Sequence, residues 1–470
     1  MKKKWLLPTV MACSLIMTMF TGCTEKEPEP LRICVDVAYT KEYGDYYEPI
    51  EEAMERFLTQ LENAGGPTDI VVECIPDSGA EREVALERIR VEIASGSGPD
   101  IFITNCDEKD SFSDTKESLF LMPEKSMSLD LFLPLDEYIE ENTRYAEWEN
   151  MNAVVLAAGR DDEGQQIIPL SYTLPVVVYH QAEAQHIPSK EITWDDMLET
   201  EDDILAAAAV WTDNTNTNME GCPFANTRDA LPEFILGDLA DYEEEELLFT
   251  EEEFGQCFED IYTLANRYTA GEFDSAPRHY NAFAGAYFTD GADFIDSNGE
   301  LCDANNGITM YDPMTMVPLY SEDGGVTASI TAYAAINRNT PRPEEAYAVI
   351  DFLLSVEAQR TGGLYQYLYY SDGYSLPMHN EIMNGKDYSL YVLDLDRPDN
   401  HNFEWYLPQE NFEVLRTVRE QITHAQFRDV LDVQLDEAYR EYDRAVKYGS
   451  DNPNEVIAEY YRAMQQMLRE

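Results

Sequence analysis

Between residues 31 and 104 the chain alternates short apolar runs with longer amphipathic ones. Short apolar runs bounded by glycine, proline and polar residues predict strands. The longer runs predict helices, because one opens with a proline and the other with the capping-box pattern of Ser78 and Glu81. The predicted strands are Leu31–Ala38, Ile70–Ile75 and Asp100–Thr104, and the predicted helices are Pro49–Leu61 and Ser78–Ser95.

This order of elements constrains the fold strongly, because parallel strands must be joined by crossover connections such as helices. It predicts an α/β fold with a parallel sheet. Ligands of such sheets bind outside the carboxyl ends of the strands. Tyr39 and Asn105 follow two of the predicted strands and are therefore candidate ligand-binding residues.

Two later segments predict extended chain crossings, at residues 166–179 and 316–337. The second crossing precedes a predicted helix that starts at Pro343. An amphipathic stripe on this helix predicts that one face is buried in a core. Residues 410–470 are predicted to be helical, with a break near residues 449–453. The stripe consists of Ala346, Val349, Ile350, Leu353 and Leu354.

The amino terminus has the pattern of an export signal. Three lysines precede an uncharged, mostly apolar run, Trp5–Phe20, which is short for a membrane-spanning helix of ~20 residues. Cys23 follows, and the stretch after it is polar. The pattern resembles the bacterial lipoprotein signal, in which this thiol is acylated. Residues 1–22 are thus predicted to be a signal peptide and 23–30 a tether, with an uncleaved anchor as the alternative.

The charge of the chain excludes one class of partner. With 92 acidic and 32 basic side chains, the formal net charge is −60. Such a surface repels phosphates, so nucleic acid binding is excluded. An anionic ligand would require a local basic pocket, and the sequence contains no sign of one.

The cysteines and histidines give no indication of a metal site or cofactor. Six cysteines follow Cys23 without metal-like spacing, and buried free thiols are favoured over disulfides. No nucleophile elbow, zinc-binding helix motif or phosphate-binding loop is present. Pairs of carboxylates are inevitable among so many acidic residues and carry no information. The six cysteines are Cys34, Cys74, Cys106, Cys222, Cys257 and Cys302.

Several segments, in the same order along the chain, resemble the extracellular solute-binding proteins (family 1, carbohydrate-type) of bacterial ABC importers, in their lipoprotein form. The most specific is a helix followed by Gly96-Ser97-Gly98-Pro99-Asp100 and a strand. The others are Ile168–Tyr172, Thr193–Leu198, Val317–Asn337, Glu344–Gln359 and Gln465–Glu470.

This resemblance implies a two-lobed, periplasmic-binding-protein-like α/β fold with a ligand cleft between lobes joined by crossing hinge strands. The first lobe would comprise residues 31–172 and 319–365, and the second 173–318 and 366–470. Tyr172 on the first crossing and Trp211 in a polar loop join Tyr39 and Asn105 as candidate ligand contacts. Ordinary core packing remains the alternative for the aromatic residues.

The function implied is that of a monomeric, non-enzymatic receptor that passes a small solute, a mono- or oligosaccharide, to the transmembrane subunits of an ABC permease. It would be held by lipid on the outer side of the cell membrane of a Gram-positive-type bacterium. Two alternatives remain open at this point. One is a secreted lipoprotein hydrolase of glycans, and the other is a ligand receptor for a sensor kinase.

Overall fold

A computed structural model of the chain describes most of the residues predicted to form the first lobe and part of the remainder. The described residues are 29–37, 50–76, 78–106, 118–174, 176–180, 192–193, 235–269, 314–320, 325–360, 375–380, 382, 390–393, 402–405, 413, 416–449 and 452–469. Cys23, Tyr39, Trp211, Cys222 and Cys302 lie outside them.

The strands, in chain order, are β1 (Leu31–Asp36), β2 (Ile70–Cys74), β3 (Ile101–Asn105), β4 (Arg160–Asp161), β5 (Gly164–Gln165), β6 (Ile167–Thr173), β7 (Val176–His180), β8 (Ile192–Thr193), β9 (Ala240–Asp241), β10 (Glu246–Leu247), β11 (Met314–Tyr320), β12 (Val326–Ile336), β13 (Leu376–Pro377), β14 (Leu390–Leu393), β15 (Asn402–Trp405) and β16 (Ile422–Phe427).

The helices are α1 (Ile50–Asn63), α2 (Gly79–Ala94), α3 (Pro123–Ser128), α4 (Asp136–Asn142), α5 (Ala153–Ala157), α6 (Glu251–Thr269), α7 (Pro343–Leu353), α8 (Val356–Arg360), α9 (Val430–Tyr448) and α10 (Pro453–Arg469).

The largest sheet has the order β13-β6-β12-β3-β1-β2, and β16 pairs with β12 as well. Strands β1, β2 and β3 are parallel, as predicted, because α1 and α2 provide the crossovers between them. Both faces of β3 are buried, which is expected for a central parallel strand covered by helices. Helix α2 begins where the sequence predicts, but the Ser78 side chain makes no capping hydrogen bond, and Gly79, the first residue of the helix, has φ +76°.

The two predicted crossings are confirmed by the strand pairing. Strand β6 leads into β7 and β11 into β12, with only short connections between them. Strand β12 pairs with β6 in the large sheet, whereas β11 pairs with β7 in a separate three-stranded sheet completed by β8. The two crossings therefore run antiparallel to each other, and each contributes one strand to the large sheet and one to the three-stranded sheet.

The core is divided into two hydrophobic clusters. The first surrounds the large sheet and includes the predicted stripe of α7, whose five residues are all fully buried. The second lies among α6, α9, α10 and the β9–β10 hairpin. Helix α9 ends at Gly449, in the left-handed conformation at φ 61°, and Pro453 begins α10, so the predicted break is confirmed.

Two findings differ from the expected elements. Residues 422–427 form strand β16 rather than helix, because the amino-terminal half of β12 offers a free edge on which they pair. Strands β13 and β16 also place parts of the range 366–470 in the large sheet with β1. The lobe boundaries remain a prediction. The pairings of β13 and β16 show which parts of the range 366–470 lie in the large sheet.

The described cysteines are free thiols, as predicted, and three of the four are buried. Burial raises the pKa of Cys34 well above its usual value and that of Cys74 to about 12. Among the described residues, no helix is long and apolar enough to cross a membrane. The four thiols belong to Cys34, Cys74, Cys106 and Cys257.

Candidate functional site

Strands β3 and β16 meet end to end along one edge of β12. Strand β3 pairs with Ala332–Ile336 and runs antiparallel to β12, whereas β16 pairs with Val326–Ile330 and runs parallel to it. The two strands therefore run toward each other, and their carboxyl ends meet on either side of Thr331. Open α/β sheets bind ligands outside the carboxyl ends of their strands, so this split is a candidate ligand site.

Thr331 lies at this split as an extra residue of β12. Tyr172 of β6 is opposite Ile330 and Ser171 is opposite Ala332, so Thr331 is bulged out of the register. Its carbonyl oxygen accepts a hydrogen bond from the Cys106 amide at 2.8 Å. A bulge re-aims the side chain of its extra residue, and bulges are frequent beside functional sites.

A chain of hydroxyl groups surrounds the bulge. Thr331 Oγ1 lies 2.8 Å from Ser171 Oγ and donates to Ser375 Oγ at 2.7 Å. Thr331 is half-buried, whereas the two serines are buried. Each hydroxyl can both donate and accept, so the group suits a ligand that itself carries hydroxyl groups.

The sequence-predicted ligand residues that the structure describes lie on either side of β12. Asn105 ends β3 opposite Ala332, one residue from the bulge, and is buried. Tyr172 is fully buried in the first cluster, with the Arg419 guanidinium carbon 6.0 Å from its ring centroid. Burial raises the pKa of this tyrosine, while the nearby Arg419 charge lowers it. For Tyr172 the sequence left two roles open, ligand contact and core packing.

A cavity of about 830 Å³ lies between the two hydrophobic clusters, beside the same split. From the first cluster, Met127 and Phe427 contribute to its wall, and from the second, Leu239 and Ala240 do so. Strand β16 borders the cavity with Ala425–Phe427. A cavity of this size is typical of sites for small molecules.

The wall of the cavity is strongly acidic. Among the described residues that line it, one side chain is basic, Arg160, whose guanidinium lies 2.7 Å from Asp136 and is thus already paired. The field of such a wall repels anionic solutes and tolerates neutral or cationic ones. The acidic residues of the wall are Glu124, Asp161, Asp162, Asp238, Asp241, Glu243 and Asp432.

Glu124 differs from the other acids of the wall. Burial and the nearby carboxylates of Asp429 and Asp238 raise the pKa of Glu124 to about 8, although the Phe427 amide donates a hydrogen bond to it. Its carboxyl is therefore mostly protonated at neutral pH. Next to it, the Tyr242 hydroxyl donates to Asp429 Oδ2 at 2.5 Å, and burial with these acids raises the pKa of Tyr242.

Sequence reasoning missed both the split and the acidic cavity. The split depends on β16, which the pattern of the tail assigned to a helix. The cavity acids are indistinguishable in sequence from the other acidic residues of the chain. The bulge left no signal in the sequence, because Thr331 continues the alternation of Thr327 and Ser329 with apolar residues.

No protein-family profile matches the chain, and no curated protein matches it in sequence. Solved structures do match the chain in fold. An extracellular solute-binding protein family 1 member from Alicyclobacillus acidocaldarius matches with 14% identity and a TM-score of 0.51, over 94% of this chain and 98% of its own. A periplasmic oligogalacturonide-binding protein from Yersinia enterocolitica matches with 15% identity and a TM-score of 0.51, over 93% and 99%.

The chain has the fold of the extracellular solute-binding proteins. At these identities the likeness establishes the fold and nothing finer. A chain described as a de novo designed esterase also matches, with 13% identity and a TM-score of 0.50, over 94% and 99% of the two chains.

This solute-binding fold explains the two sheets and their links, since its two α/β units are joined by crossing strands such as β6–β7 and β11–β12. The split at Thr331 lies in the middle of β12, the strand of the second crossing that belongs to the large sheet. Within the described part of the chain, no group of three or more histidine, cysteine, aspartate or glutamate side chains could hold a metal ion.

Proposed function

We propose that the chain is a non-enzymatic receptor that captures a mono- or oligosaccharide between its two α/β units. The observation that carries the proposal is the split of β3 and β16 at Thr331, with its hydroxyl chain, in a chain that has the solute-binding fold. Closure of two units over a ligand would bury sugar hydroxyls against such groups. Asn105 is the predicted contact that the split favours, and Tyr39 and Trp211 remain proposed contacts.

The acidic cavity favours an uncharged sugar. The Yersinia protein binds an oligogalacturonide, but uronic acids would bring carboxylates against a wall in which the one guanidinium of the described lining is already paired. Neutral sugars avoid this repulsion and keep their hydroxyls available for Thr331 and its neighbours. We therefore propose a ligand without carboxylate or phosphate groups.

Cys23 and the pattern before it support attachment to the outer face of the cell membrane through lipid. A receptor held there would deliver its solute to the transmembrane subunits of an ABC permease. Genes for two permease subunits beside this one would favour transport over the sensing of a ligand by a kinase.

A thermal-shift screen of the mature protein tests the ligand class. Neutral mono-, di- and oligosaccharides are compared with uronic acids and with peptides. A ligand present at 100 times its dissociation constant adds ~2.7 kcal/mol to the free energy of unfolding. We expect one neutral sugar to raise the melting temperature, and no uronic acid to do so. A shift with peptides alone would contradict the proposal, and release of products from oligosaccharides would indicate a hydrolase.

The variant Thr331→Val locates the site by calorimetric titration with the sugar found in the screen. It keeps the branched shape and removes the hydroxyl, so we expect affinity to fall about tenfold, as for a lost hydrogen bond to ligand. Thr59→Val is the matched control, because the Thr59 hydroxyl bonds only the Glu55 carbonyl on the exposed face of α1. Equal affinities in the two variants would mean that the sugar does not bind at the split.

A further inference from the structure

Helix α3 is shared between the two hydrophobic clusters. Met127 belongs to the first cluster and Met122, at the other end of the helix, to the second. The Val430 amide donates to the Leu121 carbonyl at 3.1 Å, which ties the start of α9 to this segment. Lys125 pairs with Glu245 at 3.1 Å and donates to the Leu468 carbonyl. This segment therefore docks the first cluster onto the second.

Glu124 lies on this helix and lines the cavity together with Asp238, Tyr242 and Asp432, the last of these in the first turn of α9. Asp429 caps α9, since its carboxylate accepts from the Leu431 amide at 2.6 Å and from the Tyr242 hydroxyl. The Asp429 amide in turn donates to Asp432 Oδ2 at 2.7 Å. Two donors therefore point at the Asp429 carboxylate. A second ionised carboxylate beside it would be unfavourable, so the proton is expected on Glu124.

We propose that Glu124 is a proton-dependent latch: its neutral carboxyl permits docking of α3 on α9 and the β9–β10 hairpin, and its ionisation weakens that docking. The inference stands whether or not the chain binds a saccharide.

The groups that face Glu124 mostly oppose its ionisation. Helix α9 contributes Asp429, which acts on it directly, with Asp432 next to Asp429, and the segment before β9 contributes Asp238. From its own helix, Lys125 is a cation, but Glu245 of the hairpin already pairs with it. The other titratable groups among the described residues that line the cavity are Asp161, Asp162, the paired Arg160, Asp241, Tyr242 and Glu243.

The sign of the pH dependence follows from the two states of the latch. In water a glutamate has a pKa of 4.5, and in the docked state burial and Asp429 raise the pKa of Glu124 to about 8. Docking is therefore strongest below pH 4.5 and weakens progressively as the pH rises through the window up to about 8. Above this window the contribution of Glu124 no longer changes.

Hydrogen exchange of the Val430 amide measures the docking, because this amide bonds the Leu121 carbonyl across the contact. Exchange of the full mature chain is followed from pH 5 to 9 and corrected for the intrinsic rate. In the wild type we expect protection to fall by up to about tenfold per pH unit below pH 8 and then to level off. Amides of β3, inside the first cluster, serve as the internal reference for global unfolding.

Two variants separate the latch from general charge effects. Glu124→Gln is neutral at every pH, so its Val430 protection should stay level across the window. Glu83→Gln removes the same charge from an exposed position of α2 and should keep the wild-type slope. A slope that persists in Glu124→Gln, or a wild type without one, overturns the proposal.

A further variant and an infrared measurement keep the test decisive if Glu124→Gln does not fold. Asp238→Asn removes one of the carboxylates that oppose ionisation, so the levelling-off should move to lower pH. Difference infrared spectra of the wild type across pH 7 to 9 should show loss of a protonated carboxyl band at the same midpoint. Absence of both changes would contradict the latch.

Discussion

Arg82 is the residue on which the geometry at the end of β1 depends most. It pairs with Asp36 through two hydrogen bonds of 2.6 and 3.1 Å, and both side chains are buried. Asp36 also accepts from the Leu119 amide at 3.0 Å, so the pair ties α2 and the segment before α3 to β1. Removing one partner of a buried pair leaves an uncompensated charge and costs about 3–5 kcal/mol.

We expect Arg82→Met to lower the free energy of unfolding by about 3–5 kcal/mol, measured by urea denaturation. Arg88→Met is the control on the same helix. Arg88 pairs with Glu73 and Glu92, but its side chain is 42% exposed, and exposed pairs contribute less than about 1 kcal/mol. Similar losses in the two variants would mean that the buried pair contributes no more than a surface one.

Gly449 decides the geometry of the connection between α9 and α10. It ends α9 with φ 61°, and its amide donates to the Ala445 carbonyl. No atom would lie within 4 Å of an added Cβ, so a substitution there would be opposed by backbone strain alone. We expect Gly449→Ala to cost about 1 kcal/mol in a thermal melt.

Gly449→Asn is the matched control, because asparagine adopts the left-handed conformation more readily than alanine. It should lose less stability than Gly449→Ala. If the two variants melted together, left-handed strain would not be what fixes this turn.

At the scale of elements, sequence patterns predicted the helices and strands that depend on residues close together in the chain. The β1–β3 unit with its two helices, the crossings and the buried stripe of α7 each follow from periodicity and from glycine or proline at their ends. Strand β16 does not, because only a free edge of β12, distant in sequence, makes residues 422–427 extended. The split at Thr331 depends on that pairing, so the site could be predicted only as far as Asn105.

For the whole molecule, the acidic surface and the acidic cavity have different consequences. The net charge of −60 was evident from composition and repels phosphates over the whole surface. The acidic wall of the cavity bears instead on which solute the proposed site accepts. In the proposed latch, Glu124 also links the contact between the two hydrophobic clusters to pH. Both proposals therefore depend on carboxyl groups of the same cavity.

In the proposed lipid-anchored receptor, Cys23 determines where the molecule works, and this role can be separated from binding. A receptor that returns to one permease benefits from attachment, because attachment raises its effective concentration there. In the native host we expect Cys23→Ala to release the protein into the medium and to impair sugar uptake. Cys13→Ala, the control, should leave it in the membrane fraction, since cleavage before Cys13 would leave almost no apolar core. Calorimetry should give the released protein unchanged sugar affinity, and a collapse of that affinity would refute the separation of anchor from binding site.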